Sequence, residues 1–526
     1  MFHKDCDMYK LSAFVFFTLF LTACSSLPEN SSEPSYAFEK SANEHIERSI
    51  LDANRQAGLA DDAVTMLLLD DGVDAFVARL SLINSAEKSV DLQYYLYHSD
   101  LSGHLLTRAL WNAAERGVRI RLLLDDMDMA GKDEVLAALS GHPNINVRLF
   151  NPFIRGKNRT GQLISQFGSI TRRMHNKSLT VDSSITILGG RNIGDTYFGA
   201  DQQTVFGDLD VALTGRVVDQ VSTSFDEYWN SPVAYPVKLL SDYRWDDSTL
   251  ASIHKLIEEK TPNQHELEYI NELRANNLAG LIKNKQINVY TGEAKILVDH
   301  PEKIVSDRDQ KQYHLGPQLA PYINAVTQEL IIVSPYFVPG KQGVQFFADL
   351  MKRGVDVKVL TNSLKSNDVM VVHAGYSKYR KKLLKMGVKI YEMDSQLLTN
   401  KDIYKKSDNK KSSMWGKSKA SLHAKYFVID RKSTFIGSLN LDPRSFNENT
   451  EIGVILQASE LSQYVALQFE EMINRIAFKL SLEDGDIVWK KTLSGETITY
   501  YDEPYSSWLD RFLVGFMSYL PGESQL

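Results

Sequence analysis

The chain repeats itself, and that repeat restricts it to an architecture of two similar halves. Met174-His175-Asn176-Lys177 through Gly189-Gly190-Arg191-Asn192 is matched by Leu422-His423-Ala424-Lys425 through Gly437-Ser438-Leu439-Asn440. The spacings from His to Lys, to Asp and to Asn are the same in both copies. Further upstream, Ala114 to Leu123 reads like Met351 to Leu360, each a helix end, a Gly cap and a buried strand. Strands are expected before these helices, at Val90 to Leu96 and Leu330 to Val338, and again at Val147 to Phe150 and Val388 to Tyr391. Strand, helix, strand in each half predicts an α/β fold with parallel layers. At 526 residues, two domains of roughly 200 residues each suit the length.

The halves meet at a charged stretch in which Ile257, Leu267, Ile270, Leu273 and Leu278 have helical spacing. We read residues 51–246 as the first domain, 247–286 as a helical connector and 287–500 as the second domain. A second interruption, Lys401 to Lys419, is lysine-rich and reads as a loop just before the second motif. A net charge of −7 argues against a protein built to grip nucleic acid over a wide surface.

Lys4 and Lys10 precede an apolar run from Leu11 to Leu21, the layout of a secretory signal and too short for a stable membrane span. The run ends in Leu21-Thr22-Ala23-Cys24, which resembles the bacterial lipobox. Residues 1–23 are therefore expected to be a signal peptide, Cys24 a lipidated residue, and residues 24–50 a Ser/Pro/Asn-rich tether. Ser25 after the cysteine favours the outer membrane, on its periplasmic side. With Cys6 removed, neither a disulfide nor a thiolate metal site is expected.

In each motif the His and Lys are two apart, and residues i and i+2 of a strand share a face. His175 with Lys177, and His423 with Lys425, thus each present an imidazole and an ammonium in one direction. Asp182 and Asp430 fall at the hairpin turns that follow and read as structural. Beyond the returning strands, Asn192 and Asn440 sit on small-residue bends from which their amides can swing back.

Together these residues resemble the phospholipase D superfamily, whose members carry paired H-x-K-x4-D motifs and close two halves around one site. More narrowly, Gln93-Tyr94-Tyr95, Gly189 to Asp195, Gly437 to Ser445 and the Leu520-Pro521-Gly522-Glu523 tail are similar to the bacterial cardiolipin synthase C branch. The resemblance implies two pseudo-symmetric α/β/α sandwich domains sharing one active site, with His175 the nucleophile and His423 the acid and base. Lys177, Lys425, Asn192 and Asn440 would hold the phosphoryl oxygens, so that no metal or other cofactor is required. Each imidazole also needs its second nitrogen held, usually by a carboxylate. Asp208 and Glu451 occupy equivalent places in the two halves, and we assign Asp208 to His175 and Glu451 to His423. Asp210 reads as a solvated or hairpin residue.

The implied activity is phosphatidyl transfer through a phosphohistidine, making cardiolipin from phosphatidylglycerol and a second phospholipid. Alternatives are a phospholipase D that releases phosphatidic acid, a phosphodiesterase nuclease, and an inactive lipid-binding scaffold. The expected partner is a phospholipid membrane, and no nucleic acid. The branch is linked to a cytoplasmic partner that a periplasmic lipoprotein would not reach, so a protein partner stays unassigned. Three features could meet lipid: the lysine-rich loop, the cluster Arg155, Lys157, Arg159, Arg172 and Arg173, and a C-terminal amphipathic helix within residues 501–526. The helix carries a stripe of Trp508, Leu509, Phe512, Leu513, Phe516, Met517 and Leu520, which either packs on the core or lies in a bilayer.

Overall fold

The computed structural model describes residues 26–519 apart from 43, 202–203, 241–263, 285, 397–418 and 494. The signal peptide, Cys24, most of the lysine-rich loop, the first part of the connector and the 520–526 tail lie outside the described residues.

Valine-, leucine- and isoleucine-rich strands, buried on both faces as in parallel sheets covered by helices, build each half. From its outer edge inward, the first half runs Ala234–Pro236, Ile145–Phe150, Arg119–Asp125, Ser89–Tyr94, Ser178–Val181, Ile185–Gly189, Asp210–Thr214 and Val64–Leu69. The second half repeats this order in mirror sequence: Val289–Val298, Ile452–Gln457, Ser433–Gly437, Tyr426–Ile429, Glu329–Val333, Asp356–Asn362, Lys389–Met393 and Ala477–Glu483. Val64–Leu69 pairs antiparallel with Val289–Val298, so one 18-stranded sheet runs through both halves. A central core that mixes Met66, Val211 and Leu213 with Val428, Val454 and Leu456 binds the halves together. This is the expected pair of sandwich domains.

The repeated helix–Gly–strand units form as expected. Helix Leu101–Glu115 ends before Gly117 and helix Gly340–Lys352 before Gly354, both glycines at positive φ, where a side chain would be strained. The expected strand Leu330 to Val338 stops at Val333, because Ser334-Pro335 turns the chain. Two further strands, Asp486–Leu493 and Glu496–Tyr500, extend the second half as a meander that the sequence reading did not separate. Helices Gln264–Ala275 and Leu278–Lys283 occupy the described part of the connector. No helix among the described residues is long and apolar enough to cross a membrane.

The stretch read as a tether is largely bound to the first half. Asn30 donates to the Pro232 and Ala234 carbonyls, and the Ala37 amide donates to Asp226. The Arg121 and Arg148 guanidiniums donate to the Ser35 and Glu33 carbonyls. Arg119 also lies over the Phe38 ring at 3.7 Å. Residues 45–50 open the helix His45–Gln56. Ser/Pro-rich composition suggested a free tether; buried guanidiniums needing acceptors instead hold this segment down.

Both motif aspartates accept hydrogen bonds from backbone amides. Buried Asp182 accepts hydrogen bonds from the Glu87, Lys88 and Ser89 amides at 2.8–2.9 Å, and Asp430 accepts from the Thr327, Gln328 and Glu329 amides at 2.8–3.0 Å. Each fixes the entry of the strand beside its own His-x-Lys strand. Asp182→Ala, which strands three amides, is expected to cost about 3 kcal/mol of stability in a denaturant titration.

Candidate active site

Each motif histidine is hung from the opposite half. The His175 amide donates to the Thr450 carbonyl (2.8 Å), while the Thr450 amide donates to the Arg173 carbonyl (2.9 Å). Likewise the His423 and Ala424 amides both donate to the Gly207 carbonyl (2.9 Å), and strand Lys419–Leu422 runs parallel to Thr204–Gly207. Asp208 follows Gly207 and Glu451 follows Thr450, so each acid faces the histidine of the other half. His423 Nδ1 lies 2.5 Å from Asp208 Oδ2, and His175 Nδ1 lies 3.0 Å from Glu451 Oε2. The within-half assignment is therefore corrected: Asp208 serves His423 and Glu451 serves His175. Equivalent sequence positions misled here because the backbone around each histidine pairs with the opposite half where the two meet.

With each Nδ1–H donated to a carboxylate, each Nε2 is left as the reactive nitrogen. The imidazoles reach the surface narrowly, with side chains 12% and 15% exposed, whereas Lys177 and Lys425 are fully buried beneath them. Lys177 Nζ donates to the His175 carbonyl at 2.6 Å, and Lys425 Nζ lies 3.3 Å from His423 Nε2. Burial, then the charges of Lys177, Lys425 and His423, hold His175 well below the ordinary histidine range. Burial and Lys425 lower His423 too, but Asp208 opposes them. Burial also lowers both lysines, Lys177 the more strongly. The crossed His423–Asp208 and His175–Glu451 contacts bring the two His–Lys pairs together where the halves meet.

The two acids differ. Burial would raise the Asp208 carboxyl, but His423 and Lys425 reverse that and hold it below the usual carboxylate range. Burial pushes Glu451 up to about 7 against the pull of Lys177, although Ser438 Oγ donates to Glu451 Oε2 at 2.5 Å. Asp299 fixes the position of Glu451 by accepting from its backbone amide (2.8 Å). At the place equivalent to Ser438 stands Gly190, where an added Cβ would lie 2.2 Å from Asp208 Oδ1. His423 thus has a partner held ionised, which opposes the lowering of its imidazolium, and His175 has a partner raised to about 7. Because only ionised Glu451 can stabilise positive charge on His175, kcat/KM is expected to fall as pH drops through about 7. Glu451→Gln should remove that acid limb from the pH–rate profile.

The asparagines sit differently from each other. Asn192 Oδ1 accepts from the Leu96 amide (3.2 Å) and its Nδ2 donates to the Tyr197 hydroxyl (2.9 Å), whereas Asn440 Oδ1 is buried with no hydrogen-bond partner among the described residues. Asp210 is not solvated: it is buried between Arg79 and Arg191 and braces the first half. The arginine cluster is likewise committed internally. Arg155 and Arg159 pair with Asp126, Arg172 with Glu448, and Arg173 with Asp125, which leaves little of this charge for a headgroup. The sequence reading missed the aromatic walls. Tyr95 stands edge-on to His175 at 4.8 Å, and Tyr197 and Phe206 flank His423 at 5.1 and 5.3 Å. Only Tyr95, inside a quoted motif, carried any signal.

Comparison with known proteins agrees with this geometry. Residues 80–229 and 319–473 each match the model described as "Cardiolipin synthase, PLD-like domain". Cardiolipin synthase C of Escherichia coli K12 is 38% identical over 457 residues, covering 86% of this chain and 94% of that protein. Cardiolipin synthase 1 of Bacillus anthracis is 25% identical, covering 79% of this chain and 67% of that protein. The crystal structure of phosphatidylserine synthase from Haemophilus influenzae Rd KW20 superposes with a TM-score of 0.53 at 13% identity, over 86% of this chain and 91% of that one, a likeness of fold. Two matched halves around a single four-residue centre and a relative similar over nearly its full length agree: the chain belongs to the cardiolipin synthase family of phospholipase D-like proteins.

Proposed function

We propose that this protein is a phosphatidyltransferase that makes cardiolipin from phosphatidylglycerol and a second phospholipid. The observation that carries the reading is the pair of imidazoles, each held by a carboxylate from the other half and set over two buried lysines. His175 Nε2 attacks phosphorus and the P–O bond to the departing alcohol breaks, leaving a phosphatidyl group on His175. His423, whose imidazolium is favoured by Asp208, gives that oxygen its proton. A hydroxyl of phosphatidylglycerol then loses its proton to His423 and attacks phosphorus, and Nε2 departs. Lys177 and Lys425, buried beneath the imidazoles, meet the phosphoryl oxygens with their ammonium groups. A contact from Asn440 to a phosphoryl oxygen would be made by its Nδ2, while the Nδ2 of Asn192 is committed to Tyr197.

The lipobox at Cys24 supports a lipoprotein on the periplasmic side, most simply at the outer membrane, with a phospholipid membrane as its partner. Mass spectrometry of lipids formed by purified protein in mixed phosphatidylglycerol and phosphatidylethanolamine vesicles, beside a His175→Ala control, tests the reaction. Cardiolipin made only by the intact protein is expected. Phosphatidic acid without cardiolipin would show a hydrolase, and no lipid product would remove the reading.

A further inference from the structure

The geometry points to the C-terminal helix Trp508–Ser518 as the surface on which the protein rests against a phospholipid bilayer, at the rim of the active site. This inference rests on the phosphatidyltransferase reading. The helix packs inward through a narrow stripe, with Val514 buried and Met517 partly buried against Leu364, Met370 and Ala374. At 3.6 residues per turn, Trp508, Phe512, Phe516 and Tyr519 fall within an arc of about 80° on another side. All four are exposed, Trp508 at 72% and Tyr519 at 89%. Neither of the two fates expected for this stripe holds alone: one side is core, and the aromatic side is bare.

The placement of the helix indicates what covers it. Asp510 in its first turn pairs with Lys365 at 2.7 Å, in the turn that follows strand Asp356–Asn362. In that same turn the Ser366 carbonyl accepts from Ser421 Oγ at 2.7 Å, two residues before His423. Asp368 accepts from the Tyr336 hydroxyl (2.8 Å) and acts on the charge of Lys425. The bare face is thus joined to the mouth of the site through a few side chains. In the first half, Ile164 and Phe167 are also exposed, between the end of strand Ile145–Phe150 and His175. Both patches lie at the carboxyl ends of parallel strands, where ligands enter such sheets. A substrate whose acyl chains stay in a bilayer must be met at this rim, and Trp and Tyr on an apolar helix face suit the headgroup boundary.

The test uses the full chain with Cys24→Ser, so that no acyl anchor carries it to lipid, and the variant Trp508→Ser/Phe512→Ser/Phe516→Ser in the same background. Sedimentation with phosphatidylglycerol/phosphatidylethanolamine vesicles, turnover of those vesicles and turnover of monomeric dihexanoyl phosphatidylglycerol are compared. The variant is expected to lose about tenfold or more in vesicle binding and vesicle turnover while staying within about twofold on the monomeric lipid. Brominated lipids should quench fluorescence that is missing from Trp508→Phe. Unchanged vesicle binding or absent quenching overturns the inference. So does a dimer that the variant dissociates with vesicle binding intact, since a second copy would then cover the face. If the unsubstituted helix binds vesicles and the variant does not, yet neither lipid is turned over, the bilayer surface stands and the phosphatidyltransferase reading fails.

Discussion

His175→Ala is expected to lower phospholipid turnover by ~10⁴-fold or more, and no choice of leaving group should restore it. His423→Ala should cost a similar factor on a natural phospholipid, whose departing alkoxide needs a proton. With a p-nitrophenyl phosphatidyl ester, whose phenolate leaves unprotonated, the His423 variant should release nitrophenol far better than the His175 variant does. The difference follows from the partners. Burial lowers both histidines, but Asp208, held ionised, opposes the lowering of His423, whereas His175 is held well below the ordinary histidine range by burial and the neighbouring lysines. Rates of nitrophenol release and of lipid product, measured for both variants, check the assignment. A His423 variant as inactive toward the activated ester as the His175 variant would reverse or merge the roles.

Asp208→Asn is expected to lower turnover of a natural phospholipid by roughly 10²- to 10⁴-fold, because the amide can hold His423 in the wrong tautomer and cannot balance its charge. The loss should carry the signature of His423: severe with a poor leaving group and mild with nitrophenol. Under a pairing within one half, the same substitution would instead act on His175 and impair both substrates alike. Glu451→Gln should be milder near neutral pH, since Glu451, pushed up to about 7, is already partly protonated there. Steady-state kinetics on the two substrates, for both variants, separates the crossed from the uncrossed pairing.

Much of this architecture was legible because its signals are local or repeated. Two apolar strands after a Gly cap, an i, i+2 His–Lys pair and an Asp at a hairpin turn each follow from backbone geometry, and duplication made them hard to mistake. The crossing of Asp208 to His423 was not legible. It depends on Gly207 and Thr450 offering their carbonyls to the opposite half, which is a tertiary pairing that spacing along the chain does not encode. Asp210 and the arginines near His175 were misread for a related reason. Charge in a sequence suggests water or ligand, but Arg79, Arg191 and Asp126 show it neutralised inside the fold. The bound segment Asn30 to Lys40 escaped notice because polar, Pro-containing chain is as able to lie against buried guanidiniums as to float.

The proposed mechanism uses both halves in one covalent step, and that step can be observed directly. The His423→Ala protein, mixed with p-nitrophenyl phosphatidyl ester, quenched at alkaline pH to preserve an acid-labile phosphoramidate and digested, can be mapped by mass spectrometry. The expected result is a phosphatidyl adduct on the peptide carrying His175, absent when His175 is also replaced. An adduct on another residue, or nitrophenol release with no adduct at all, would contradict a phosphatidyl-His175 intermediate.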